Sequence, residues 1–302
     1  MSKASDGGRA SGGGRASAKT GKAGLRRWRR MGLGQSGPVE ELLREWEPFS
    51  VAACSRFLRR SFFRDRIWTF GTGKGRPAAL LCYMGRAFFP LFKGPVPAPR
   101  FMDRLLTRVP FHAVQGLGED ALILEEIIAR SGLEPVNSIN YDLMSLDQGP
   151  SPDSLRAGPK GLFFRRPGVR DLDALLPLQE AYEQEEVLPE GAVFNPQVCR
   201  LNLRRILAEQ RIVSAELDGW TVAKANTSAA SFTRYQIGGV YVHPAYRGRG
   251  IARRLCAELA RELLAEGKGL SLFVKKRNAA ARAVYRGVGF NVRDDYRISY
   301  YQ

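Results

Sequence analysis

Histidine is almost missing from this sequence: His112 and His243 are the only two in 302 residues. Cysteine is nearly as scarce, and its four residues (54, 82, 199 and 256) show no paired spacing. Together these absences argue against a zinc site, which needs clustered Cys and His, and against a disulfide framework. Reduced thiols in a cytoplasmic protein are the simplest expectation. No apolar run approaches the roughly 20 residues that cross a bilayer. The longest, at 78–84 and 87–92, are strand-sized, so no membrane span is expected.

Acids are missing where bases are densest. Residues 1–36 hold nine Lys or Arg (3, 9, 15, 19, 22, 26, 27, 29 and 30) against one acid, Asp6, and so supply +8 of a net +17. Gly, Ser and Ala fill most of the rest, so residues 1–36 are expected to form a disordered basic tail. No apolar stretch follows Arg29-Arg30, which excludes a secretory signal there. Two readings stay open for the tail: a solvated segment, or an arm in weak non-specific contact with nucleic acid or an anionic membrane. Oligomeric state leaves no mark in the sequence.

A hydrophobic content of 44% over this length supports two domains of ordinary size. Residues 37–147 read as the first. Helical periodicity covers 40–60, strand patterns fall at 67–70, 78–83, 87–92 and 111–114, a helix at 118–130 and a last strand at 137–144. Gly71-Thr72-Gly73-Lys74-Gly75 has the wrong spacing for a P-loop and reads as a hairpin turn. The Pro/Gly/Ser-rich residues 148–160 read as a linker and place the domain boundary. In 161–302, a strand at 163–166 precedes a helix capped by Asp171. A second helix opens at Asn195-Pro196, with Val198, Leu201, Leu203, Ile206 and Leu207 inward, and a hairpin turns at Asp218-Gly219. Two short strands are expected to close the chain up to Tyr301.

The most informative stretch is 236–252. Residues 237–242 form a β-branched strand pattern that stops at His243-Pro244. Arg247-Gly248-Arg249-Gly250-Ile251-Ala252 then leads into a helix with Ile251, Leu255, Leu259 and Leu263 spaced four apart. A strand, a glycine turn and a helix N-terminus make an anion site, since free N–H groups and the positive end of the helix dipole converge there. A dinucleotide fingerprint would need glycine where Arg253 stands, and a P-loop would need Gly-Lys-Ser/Thr. Downstream, a strand at 270–274 runs into Asn278 and a helix on which Asn278, Arg282 and Tyr285 share one face.

Arg-x-x-Gly-x-Ala after a strand resembles the pyrophosphate-binding loop of the GNAT superfamily of acyl-CoA-dependent N-acyltransferases. The Asn–Tyr helix resembles that family's second signature. Both lie in order within 161–302. The resemblance implies an α+β (mixed α/β) fold, with a central, mostly antiparallel twisted sheet flanked by helices. Residues 37–147 follow a similar order without either motif, so two tandem GNAT-like domains are expected, the N-terminal one degenerate.

The resemblance also implies acetyl-CoA as co-substrate, no metal, and direct transfer of its acetyl group to the primary amine of a small molecule or peptide. An acetyl-CoA-binding regulatory module without catalysis is the alternative. For the cofactor it implies backbone pairing of pantetheine with Val240, Tyr241 and Val242, and a pyrophosphate on Arg247, Gly248, Arg249, Gly250, Ile251 and Ala252. Lys275, Asn278, Arg282 and Tyr285 are further cofactor candidates. The Val242 N–H would stabilise the thioester oxygen, and Tyr285 would protonate the departing thiolate. Glu185 and Glu186, with Glu183, could bind a cationic amine, relay a proton or coat a loop. His243, before Pro244 at a strand end, is read as structural.

Overall fold

Both halves of the chain lay down elements in one order. From the N-terminus come β1 (Arg27–Arg30), α1 (Ser36–Trp46), α2 (Val51–Leu58), β2 (Arg66–Gly71), β3 (Ala79–Met84), β4 (Ala87–Leu91), α3 (Pro99–Leu106), β5 (Ala113–Leu117), α4 (Gly118–Ala129) and β6 (Asn137–Leu146). A short helix α5 (Pro152–Arg156) precedes β7 (Phe163–Arg165), α6 (Leu172–Tyr182), a π-helical turn (Glu183–Val187), α7 (Pro196–Glu209), β8 (Ile212–Leu217) and β9 (Trp220–Ala230). Then follow β10 (Arg234–Val242), α8 (Ile251–Ala265), β11 (Gly269–Lys275), α9 (Ala279–Val288) and β12 (Asn291–Tyr300). The computed structural model describes residues 27–59, 65–71, 75–92, 94, 99–188 and 192–302.

Among the described residues the strands form one sheet, in the order β1-β2-β3-β4-β5-β12-β6-β11-β10-β9-β8-β7. Only β4–β5 and β10–β11 are parallel. The last strand of each half is exchanged: β6 pairs with β11, β12 pairs with β5, and the two exchanged strands pair with each other. This leaves no open strand edge where the halves meet. The division expected at 148–160 is therefore a division in sequence and not in space. That segment is also not a free linker. It forms α5, packs on α8, and its Ser151 hydroxyl donates to the Gly287 carbonyl at 2.7 Å.

Other expectations change for identifiable reasons. Residues 1–26 of the predicted tail lie outside the described residues. Residues 27–36 do not behave as tail: β1 pairs with β2, and Trp28 is buried against Phe70, Phe92 and Phe101. One large aromatic ring outweighs the surrounding arginines, of which Arg27 and Arg30 are exposed. The helix expected over 40–60 breaks at Pro48, whose missing N–H ends α1 in a 3-10 turn before α2. The two expected last strands are the single β12. Val198 and Leu201 are exposed on α7, while Leu203 and Leu207 face the core. Asp171 does not cap α6 through its side chain but accepts from the Gly168 N–H and pairs with Arg165.

The C-terminal half buries both faces of its sheet. α8 packs across β8–β11 with Leu255, Leu259 and Leu263 inward, and α6 and α7 close the opposite face with Leu175, Leu203 and Leu207. No helix among the described residues is long and apolar enough to cross a membrane.

Candidate active site

β10 and β11 run side by side only from Arg234–Gly269 to Ile237–Leu272, and then separate. The cause lies in β10, where the register against β9 shifts between Gly238 and Tyr241. Gly239 sits in this bulge at φ 58°, and a Cβ there would fall 2.1 Å from Asn226 Oδ1. Only glycine fits. The opening holds a cleft of about 260 Å³ lined by Tyr141, Tyr182, Gly239, Val240, Lys275, Tyr285 and Tyr300, among others.

A second cavity of about 530 Å³ continues from Val240 and Val242 to the glycine turn and the start of α8. His243 N–H donates to the Val222 carbonyl, so Val242 and Ala223 form the alternate, non-bonded pair and the Val242 N–H turns away from β9. At the far end Gly248 and Gly250 take φ of 76° and 78°. Arg254 is the first residue of α8 whose N–H returns to the turn, on Gly250, leaving the N–H groups of 251–253 available at the positive helix end. Gly250 is constrained twice, since a Cβ would also meet the Gly158 backbone nitrogen at 2.9 Å.

Of the expected cofactor residues, Val240, Tyr241, Val242, Arg247, Gly248, Gly250, Ile251, Ala252, Asn278 and Tyr285 border this cavity. Arg249, Lys275 and Arg282 do not. Arg249 donates to the Ala245 carbonyl and lies over the Tyr246 ring. Lys275 pairs with Glu186 at 3.0 Å. Arg282 pairs at 2.6 Å with Asp142, a buried residue of the exchanged strand β6. Lys275 and Arg282 are thus paired with carboxylates of the protein, while Arg249 is exposed and bonded to a carbonyl.

The three glutamates after α6 have separate tasks. The π-helical turn spreads them around the axis. Glu183 accepts from Gln179 at 2.8 Å. Glu185 accepts from the Tyr241 hydroxyl at 2.5 Å and from Arg247 at 2.8 Å, and those two donors hold its carboxyl below the usual range. Glu186, fixed by Asn278 at 3.2 Å and by Lys275, borders both cavities and a third, of about 300 Å³, walled by residues 137–141 of β6. His243 Nδ1 accepts from the Ala245 N–H at 3.3 Å and caps a turn, as its structural reading expects.

Tyr285 borders both main cavities, and its hydroxyl has no hydrogen bond among the described residues. Burial, with smaller contributions from Cys256, Tyr182 and Glu186, raises its phenol well above the ordinary value. Sequence reading missed Tyr141, Tyr182, Tyr300 and Lys224. The first three come from distant segments. Lys224 carried a signal in strand alternation: Ala223 and Ala225 pack into the α8 core, which turns Lys224 and Asn226 to the face under α6 and α7.

The N-terminal half has no counterpart to this site among the described residues. Beyond its short parallel pairing of β4 with β5, the Phe92 N–H donates to Asp120 at the start of α4 and ties the strand ends together. Trp28, Phe92, Phe101 and Met102 pack the neighbouring space.

Residues 175–290 match the acetyltransferase (GNAT) family. The N-alpha-acetyltransferase RimI of Mycobacterium tuberculosis is 41% identical over 93 residues, 30% of this chain; the chain spans 57% of that relative's length. A tandem GNAT protein from the clavulanic acid biosynthesis pathway superposes with a TM-score of 0.58 at 15% identity, covering 91% of this chain and 98% of that one. A GCN5-related N-acetyltransferase from Sphaerobacter thermophilus gives 0.55 at 19% identity, covering 91% and 95%. At these identities the two structures share the fold with this chain, and the first fits its repeated order of elements.

Proposed function

We propose that the chain, whose residues 175–290 match the GNAT acetyltransferase family, transfers an acetyl group from acetyl-CoA to a primary amine by direct attack. One observation carries this reading: Val240, Tyr285, Asn278 and Glu186 border both the cavity that ends at α8 and the cleft between β10 and β11. A long anionic co-substrate in the first and an amine in the second would meet at these residues and Ala281, which also borders both.

The cavity suits acetyl-CoA in charge and shape. Free N–H groups and two glycines of positive φ form a cradle for a pyrophosphate, and the Val240–Val242 backbone offers an unpaired strand edge to an amide-bearing arm. Acetyl-CoA, when bound, supplies an activated thioester. Val240, rather than the expected Val242, lies at the junction of the cavities, so its N–H is the better placed donor to a carbonyl oxygen that gains charge. The unbonded Tyr285 hydroxyl is the donor for a departing sulfur. Burial that raises the phenol also raises a thiolate in the same pocket, which keeps the two acidities within reach of each other. Glu186 is the carboxylate an entering ammonium would meet. Residues 37–147 act by lending β6 as a wall of the acceptor side.

Thiol release from acetyl-CoA across a panel of amines, with mass analysis of the product, tests the reading. Acetylated amine formed by wild type, and strongly reduced in Tyr285→Phe, is expected. Binding of acetyl-CoA without transfer to any amine class would favour the regulatory module instead.

A further inference from the structure

Under β10, on the face covered by α6 and α7, lies a cation that the chemistry above does not use. Lys224 is fully buried, with 0% of its surface exposed. Its Nζ donates to the Gly239 carbonyl at 3.0 Å and to Asn226 Oδ1 at 3.2 Å, and lies 4.9 Å from the centre of the Tyr182 ring. No carboxylate forms an ion pair with it among the described residues; Glu183, at the π-helical turn, is the acid it feels. A buried ammonium without a paired carboxylate costs stability, so its place beside the bulge calls for a function.

That place is specific. The Gly239 N–H donates to the Tyr182 hydroxyl at 3.2 Å while the Gly239 carbonyl accepts from Lys224, so both polar groups of this residue are held. In a trans peptide the C=O and the following N–H point in opposite directions. With the Gly239 carbonyl turned to Lys224, the Val240 N–H turns away from Lys224, and Val240 itself borders both cavities. A charge on the carbonyl end of a peptide also strengthens the N–H at its other end as a donor.

We propose that Lys224 is a positioning residue for acetyl transfer: its ammonium on the Gly239 carbonyl fixes and polarises the Gly239–Val240 peptide, whose N–H faces the thioester oxygen. The inference rests on the acetyl-CoA reading. The titratable groups packed around Lys224 are Tyr182 of α6, Glu183 of the π-helical turn and Cys199 of α7. Burial raises the pKa of Tyr182 and that of Cys199, the latter to about 12, so both stay neutral near pH 7.

The test is infrared difference spectroscopy of carbonyl-labelled acetyl-CoA bound to the full chain at pH 6, below the value of about 7 to which burial pushes Lys224, after calorimetry has measured binding. Wild type is compared with Lys224→Met and with Lys224→Gln, which keeps a neutral N–H donor. In wild type the bound carbonyl stretch moves to lower frequency than in free acetyl-CoA. Lys224→Met retains binding and loses most of that downshift, and Lys224→Gln recovers part of it. Equal downshifts in all three proteins overturn the inference and leave the acetyl-CoA reading standing. Absence of acetyl-CoA binding to wild type overturns both. Should Lys224→Met fail to fold, Lys224→Gln decides alone, and a downshift equal to wild type overturns the inference.

Discussion

The guanidinium of Arg247 lies 2.8 Å from the carboxylate of Glu185, so the arginine that opens the glycine turn is already paired before any anion arrives. Its Nε also donates to the Val242 carbonyl, which joins the end of the bulged strand to the turn. Glu185 thus occupies the arginine of the anion turn from the π-helical turn after α6.

Glu185→Gln tests whether that is its only task. Both side chains are nearly half exposed, at 47% and 43%, so the pair contributes little to stability, within about 1 kcal/mol. The expected outcome is a melting temperature close to wild type, unchanged turnover, and equal or tighter acetyl-CoA binding as Arg247 is released. A turnover drop of about tenfold or more, with binding intact, would instead assign Glu185 to the proton path.

The two halves are also pinned by Glu47. This carboxylate is 3% exposed and accepts from the Ser231 hydroxyl at 2.5 Å and from both the N–H and the hydroxyl of Thr233 at 2.6 Å. Glu47→Ala removes three hydrogen bonds and leaves the Thr233 N–H and hydroxyl without their acceptor, and urea denaturation should show a loss of about 3 kcal/mol. With one continuous sheet, circular dichroism and tryptophan fluorescence should report the same single transition. Separate transitions for the two halves would contradict the exchanged-strand architecture.

Tyr285→Phe removes a hydroxyl that bonds to nothing else, so stability and acetyl-CoA affinity should hold while turnover falls by about a hundredfold. Because burial raises the phenol, it remains protonated throughout the neutral range, and an alkaline fall in wild-type rate below about pH 10 belongs to another group. Steady-state rates from pH 6 to 10 check both points, and a Phe variant as fast as wild type would remove Tyr285 from the proton path.

Lys224 makes a prediction about stability with a definite sign. Burial pushes its ammonium down to about 7, whereas an unfolded chain holds that proton up to about 10.4. Between those values the unfolded state binds more protons, so this group's contribution to folding stability rises with pH. Lys224→Met removes the cost. Its melting temperature should exceed wild type by most near pH 6, and the gap should shrink toward about pH 9. A gap that does not change with pH would mean the lysine is charged throughout.

The anion turn and the Asn–Tyr helix were legible because their chemistry is local: Arg247 to Ala252 and Asn278 to Tyr285 are each one short continuous stretch of sequence. The boundary of the acceptor side was not. Its wall is β6, which leaves the N-terminal half to pair with β11, and register between segments over a hundred residues apart leaves no short-range pattern. Lys275 and Arg282 misled for the same reason, since their partners Glu186 and Asp142 are remote in sequence. Trp28 was lost in a basic composition, although one aromatic ring sufficed to anchor β1. The bulge falls on two adjacent glycines, Gly238 and Gly239, while Lys224 meets the bulge only through the pairing of β9 with β10.

Calorimetric titration of acetyl-CoA into wild type and Ala252→Asp tests the central proposal most directly. Gly250 is a poor position to block, because its Cβ would strike the backbone of Gly158 before any ligand. Ala252 borders the cavity at the second position of α8, where a carboxylate favours the helix dipole yet repels a pyrophosphate. Micromolar-range binding to wild type, abolished in an Ala252→Asp protein that melts no lower, is the predicted result. Equal binding by both proteins, or none by wild type, would contradict an acetyl-CoA site at the α8 N-terminus.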